Sequence, residues 1–157
     1  MMRVLAVEDS DQKWQRVEPI LLEALGPESE IVRVRDQFDA ERSVAQPGWD
    51  LLMLDISLDI RAGGPQGSRG SHDYTAGLKI AGRMFYLECE IPTIILTGFD
   101  AFPSGRATSD KDVILGLEDV AREASRFLGD HLLGTIRVGV DGWENVLTTL
   151  VLGQLKA

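Results

Sequence analysis

Cysteine is nearly absent. Cys89 stands alone in 157 residues, so no intramolecular disulfide can form, which suits a reducing compartment. Basic residues are also scarce: 16 Lys and Arg against 25 Asp and Glu leave a net charge of -9. The few cations are scattered among acids, which excludes the basic face that a nucleic-acid partner requires. No apolar run approaches the roughly 20 residues of a membrane helix. The start, MMRVLAVEDSD, turns acidic too early for a secretory signal. Aromatics make up only 6% of the chain, and Trp14, Trp49 and Trp143 read as core or rim packing rather than a base-stacking platform. Together these absences point to a cytoplasmic protein with neither a nucleic-acid nor a membrane partner.

What remains is an ordinary globular composition. Residues 1–157 are enough for one domain with a core that needs no staples. The chain is organised around Asp50–Asp59, DLLMLDISLD, in which Leu51–Leu54 run straight into Asp55. A short continuous apolar run predicts a strand buried on both faces. Asp55 then stands at its carboxyl end, where ligands bind in an open parallel sheet.

Before it, Arg3–Val7 predicts a first strand and Ile31–Val34 a second. A helix between them has Trp14, Val17, Leu21, Ala24 and Leu25 on one face, with Ser10 or Asp11 as its cap. Pro19 inside this pattern predicts a kink or a late first turn. Asp36–Ala45 predicts a short second helix. After Asp55, residues 56–73 lose periodicity in a Gly/Ser-rich insertion that reads as a long loop. Thr75–Leu87 resumes as a helix with Leu78, Ala81, Met84 and Phe85 inward, and Thr93–Leu96 is a fourth strand followed by Thr97-Gly98. A second irregular stretch covers residues 99–112. Val113–Leu133 then reads as mostly helical, Gly134 closes it, Thr135–Val140 is strand five, and Trp143–Leu155 is the last helix.

Five β-α alternations predict a doubly wound parallel sheet with right-handed crossovers. Strand order 2-1-3-4-5 is the common small solution. It sets strands one and three side by side, so that Glu8, Asp9 and Asp55 converge at one rim, and strand four brings Thr97 to the same rim. Three converging carboxylates favour a divalent cation, and a hard octahedral ion such as Mg²⁺ suits oxygen ligands. A hydroxyl at position 97 can donate to an anionic ligand. Taken singly, each motif has a plain structural reading: an acidic helix start at Glu8–Asp11, a strand-end turn at Asp55. Their joint occurrence in this order is what points to chemistry. His72, in a Gly/Ser loop, reads as solvent-exposed, and His131 as a cation suited to a helix end.

VLAVEDSD at Val4–Asp11, DLLMLDISL at Asp50–Leu58 and IPTIILTG at Ile91–Gly98 resemble the motifs of a response-regulator receiver domain of two-component signalling, over nearly the whole chain. The resemblance implies a flavodoxin-like (βα)5 fold. It also implies Asp55 as phosphoryl acceptor, Glu8 and Asp9 as the acidic pair for Mg²⁺, Ser57 as a further metal ligand through its backbone carbonyl, and Thr97 as the hydroxyl that binds the phosphoryl group. The implied partners are a histidine kinase or phosphotransfer protein and, since the sequence ends at Ala157 just after the fifth helix, a separate downstream output protein or a second copy in a homodimer.

Two features depart from the family pattern. That pattern places a lysine at the end of strand five, whereas TIRVGVDGW has none at or near Val138–Asp141. Either Arg137 turns inward, or Arg61 or Arg69 folds over the site, or the domain works by binding alone as a phosphorylation-independent adaptor. The second departure is the pair of insertions, which leave from the site's rim and form either a lid or partner surface or mere decoration. A Mg²⁺-dependent phosphohydrolase using Asp55 as nucleophile is a further alternative. The dehalogenase-type enzymes that work this way carry a second aspartate two residues on, and position 57 here is serine.

Overall fold

The computed structural model describes residues 1–61, 72–104 and 113–156. Its centre is a five-stranded sheet of β1 (Arg3–Val7), β2 (Glu30–Val34), β3 (Leu51–Leu54), β6 (Thr93–Thr97) and β9 (Leu132–Arg137), in the order β2-β1-β3-β6-β9. Every pairing in it is parallel. This is the expected flavodoxin-like order, and all five carboxyl ends lie on one rim.

Two short antiparallel hairpins interrupt the alternation. β4 (Leu58–Asp59) pairs with β5 (His72–Asp73), and β7 (Ala101–Ser104) pairs with β8 (Val113–Gly116). They occupy the ends of the two insertions. Insertion residues 62–71 and 105–112 lie outside the described residues, and with them the middle of each expected lid and the Arg69 reading.

The buried strands alternate between two cores, as a period of two requires. Val4, Ala6, Leu51, Met53, Ile94, Leu96 and Ile136 face α1 (Asp11–Leu25) and α5 (Trp143–Leu155), which contribute Trp14, Val17, Leu21, Trp143, Leu147 and Val151. Leu5, Val7, Leu52, Leu54 and Ile95 face α2 (Gln37–Val44), α3 (Ala76–Tyr86) and α4 (Leu117–Leu128). Ser10 caps α1, its side chain accepting from the Lys13 N–H. The cap starts the helix at Asp11, so its first turn is not delayed, and the helix runs unbroken past Pro19.

Three sequence expectations are corrected. Val113–Gly116 is a strand, not the start of a helix; helix α4 begins only at Leu117, and a 3-10 turn over Gly129–His131 ends it. The fifth sheet strand accordingly runs from Leu132 to Arg137, with Gly134 inside it rather than closing the helix. Phe85 is 56% exposed rather than inward. Ala76, Ile80, Ala81 and Met84 supply the buried stripe of α3, and residue 85 falls beside that stripe.

Gly77 fixes how close α3 comes to the site. A Cβ at this position would stand 2.4 Å from the Asp55 carbonyl oxygen and 2.7 Å from the Ile56 Cα. The Gly77 N–H donates to the Ile56 carbonyl at 2.8 Å. Only glycine admits this approach, which clamps the backbone just after β3.

Candidate functional site

Asp55 emerges from β3 with its N–H donating to the Val7 carbonyl at 3.1 Å, so the ends of β1 and β3 are tied together. Glu8 and Asp9 follow directly from β1. Ligand oxygens of Glu8, Asp9 and Asp55 all lie within 4.8 Å of one another. The sequence-predicted acidic set is therefore one cluster, with Glu8 and Asp55 buried and Asp9 half-buried.

Lys13, in the first turn of α1, lies inside this cluster. Its Nζ stands 2.6 Å from Glu8 Oε1 and 3.0 Å from Asp55 Oδ2, and donates to the Leu96 carbonyl at 2.9 Å. Its side chain is only 9% exposed. Each carboxylate also has a backbone donor: Ile56 N–H reaches Asp55 Oδ1 at 2.8 Å, and Ser10 N–H reaches Glu8 Oε2 at 3.1 Å. Asp9 has no hydrogen-bond or ion-pair partner among the described residues.

Three carboxylates share one ammonium in a largely buried space. The titration of the group reflects this. Burial, and then the Asp55 charge, push the Glu8 carboxyl up to about 8 despite the counteracting Lys13. Asp9 is raised for the same two reasons, with Asp59 adding to them. A cluster of three carboxylates whose ligand atoms are all oxygens fits a hard divalent cation such as Mg²⁺.

A cleft of about 680 Å³ opens over the cluster, lined among others by Asp9, Lys13, Asp55, Ser57 and Val138. Gly98 and Phe99 line it after β6, whereas Thr97 is fully buried beneath them. Thr97 Oγ1 accepts the Phe99 N–H at 3.2 Å. That bond uses an oxygen lone pair and leaves the hydroxyl proton for an acceptor.

Ser57 and His72 correct a further expectation. His72 is not a free loop residue: one ring nitrogen, Nε2, lies 2.7 Å from Ser57 Oγ, and the other, Nδ1, lies 2.8 Å from Asp59 Oδ1. The ring also packs edge-on against Tyr74 at 4.8 Å. The β4–β5 pairing brings Asp59 and His72 opposite each other, and with Asp9 they form a second group of three ligand atoms within 4.8 Å.

Two of the proposed sources of positive charge are elsewhere. Arg61 stacks on Phe38 with its guanidinium 4.4 Å from the ring centre. Arg137 stands beside Thr97 in the sheet register, is not among the residues lining the cleft, and forms no ion pair among the described residues. Reading the sequence missed Lys13. One signal was present: a cation in the first turn of a helix opposes the helix dipole and needs nearby anions to hold it there.

No family model and no curated protein matches the chain. Solved structures do. A response-regulator receiver domain from Clostridium thermocellum aligns over 99% of this chain and 95% of its own, with TM-score 0.63 and 14% identity. A Francisella response-regulator receiver domain aligns over 99% and 98%, with TM-score 0.62 and 13% identity. The chain has the receiver-domain fold. The receiver domain of a Pseudomonas aeruginosa sensor histidine kinase, solved with a magnesium ion coordinated in its active-site cleft, aligns over 99% and 98%, with TM-score 0.58 and 17% identity. No helix of the described receiver fold is long and apolar enough to cross a membrane.

Proposed function

We propose that this chain is a response-regulator receiver in which Asp55 accepts a phosphoryl group from a histidine kinase or phosphotransfer protein, in a Mg²⁺-dependent manner, and which signals through protein–protein contact in the cytoplasm. The observation that carries the reading is the convergence of Asp55 with Glu8, Asp9 and Lys13 at the floor of an open cleft. Asp9, Asp55 and Glu8, with the Ser57 carbonyl, would hold the metal ion. The ion would supply neutralising charge to the transferring phosphoryl group. Thr97, whose hydroxyl donates to no acceptor among the described residues, would donate to the phosphoryl oxygens after a side-chain movement. The second aspartate that a dehalogenase-type hydrolase uses is serine at position 57.

Beryllofluoride, which mimics an aspartyl phosphate, tests the reading. Added with Mg²⁺, it is expected to produce a saturable change in tryptophan emission, since Trp14 follows Lys13 directly in α1. The change is expected to vanish in Asp55→Asn. A response unaltered by that substitution would contradict acceptance at Asp55 and favour an adaptor that binds without phosphate.

A further inference from the structure

We infer that Lys13, carried by helix α1, is the phosphoryl-pairing lysine of this domain and replaces the lysine missing from the end of the fifth sheet strand. The inference rests on the receiver reading above and assigns a catalytic residue to it.

The strand-five position is closed to this role. β9 ends at Arg137, and the next residue, Val138, is the one that lines the cleft, with an apolar side chain. Lys13 reaches the acceptor from helix α1 instead. Its stem passes over Gly98, where a Cβ would stand 3.9 Å from the Lys13 Cδ. Its ammonium then reaches three oxygens, on Glu8, Asp55 and the Leu96 carbonyl. An ammonium has three protons to give, so this set uses all of them.

A purely structural origin for this placement is hard to support. The lysine lies at the positive end of the α1 dipole, and its side chain is almost wholly withdrawn from water, two conditions that disfavour an ammonium. What compensates is contact with the carboxylate whose reactivity is in question. An exposed cation pairing with an exposed acid would meet neither condition, and Arg122–Asp119 on α4 is an example of that ordinary kind.

The chemistry follows from the contacts. With acetyl phosphate as donor, an Asp55 carboxylate oxygen forms the new O–P bond while the P–O bond to acetate breaks, and acetate leaves with the electron pair. No oxidant is needed and no proton changes hands. Lys13 remains an ammonium throughout and offsets negative charge at the oxygen that receives the phosphoryl group. As the cation is fixed to α1, that helix and its neighbour α5 are the elements that register phosphorylation. The two are already joined through Arg16, whose guanidinium lies 5.3 Å from the Trp143 ring centre.

The test is the rate at which intact protein gains a phosphoryl mass from acetyl phosphate with Mg²⁺, in wild type, Lys13→Gln, Lys13→Arg and the double variant Lys13→Gln/Val138→Lys. Neutralising Lys13 is expected to slow labelling by roughly 10²-fold, comparable to removing one preorganised charge-stabilising donor. Lys13→Arg keeps the charge and is expected to fall between wild type and Lys13→Gln. The double variant returns a lysine to the cleft at the strand-five position and is expected to recover much of the rate. Lys13→Met, neutral but close in shape, answers the same question should the glutamine variant fail to fold. Folded neutral variants labelled at the wild-type rate would overturn the inference. No labelling of wild type would instead overturn the receiver reading itself, so the two failures are distinct.

Discussion

Lys13 Nζ lies 3.0 Å from Asp55 Oδ2, which joins a side chain in the first turn of α1 to the residue that follows the central strand β3. The same ammonium lies 2.6 Å from Glu8 Oε1. One cation thus serves two buried carboxylates, while Asp9 beside them forms no ion pair among the described residues. Much of the expected behaviour of the site follows from that shortage of positive charge.

Divalent cation binding is expected to depend on Asp9 more than on Asp59. Asp9 belongs to both groups of close ligand atoms and has no hydrogen-bond or ion-pair partner among the described residues, whereas Asp59 already holds His72. Calorimetric titration with Mg²⁺ is expected to show an affinity weakened roughly tenfold or more, about 1.4 kcal/mol, in Asp9→Asn, and a much smaller change in Asp59→Asn. Equal losses would place the ion elsewhere.

Stability is expected to fall with rising pH when divalent cations are chelated. The Glu8 carboxyl is raised from 4.5 to about 8, chiefly by burial, so the folded chain holds a proton that the unfolded chain releases. Its stabilising share is full below about 4.5 and is lost as pH climbs to about 8. Thermal melts across this window in EDTA are expected to show a decreasing Tm. Saturating Mg²⁺ is expected to flatten the slope, because the ion favours the ionised carboxylate. A Tm that rises across the same window would contradict the shift.

Substituting Gly77 is expected to disturb the acceptor from behind. A methyl group there meets backbone at 2.4 Å and 2.7 Å, and neither partner is the end of a flexible side chain. Gly77→Ala is therefore expected to destabilise by about 2 kcal/mol, within the range for overpacking. It is also expected to reduce beryllofluoride binding, since the displaced atoms belong to Asp55 and Ile56. Urea unfolding together with the fluorescence titration checks both effects. Wild-type stability would show that the contact is looser than its distances indicate.

His72 is expected to hold the β4–β5 hairpin against the site. Removing it takes away the contacts to Ser57 Oγ and Asp59 Oδ1. His72→Ala is expected to loosen the hairpin by about 1 kcal/mol, a modest value because the ring and Asp59 are partly solvated. Amide exchange at Leu58 and Asp73 measures the loosening, and unchanged exchange there would mean the strand pairing stands without the histidine.

These predictions draw on features of unequal legibility in the sequence. β3 and α5 were readable to the residue, since Leu51–Leu54 is bounded by Asp50 and Asp55, and Trp143–Leu155 follows a glycine and keeps a helical repeat. The acidic cluster was readable because strand order alone brings Glu8, Asp9 and Asp55 together. Val113–Gly116 was misread because four residues, three of them apolar, abut a helical stripe and local periodicity cannot separate the two. Only pairing with Ala101–Ser104 across the insertion makes it a strand. The Ser57–His72–Asp59 contact likewise depends on a hairpin closing over a long insertion, which no local pattern encodes. Lys13 was hidden differently. It sits among Asp11, Gln12 and Gln15, where a charged residue reads as solvent-facing, and its burial is visible only once β1, β3 and β6 form the rim.

The most direct measurement is the mass of the intact chain after incubation with acetyl phosphate and Mg²⁺, followed by peptide mapping of the modified residue. The proposed function predicts a gain of one phosphoryl group, located on Asp55, lost in Asp55→Asn and prevented by EDTA. A chain that gains no mass under conditions that label an ordinary receiver, or that is modified at another residue with Asp55 untouched, would contradict it.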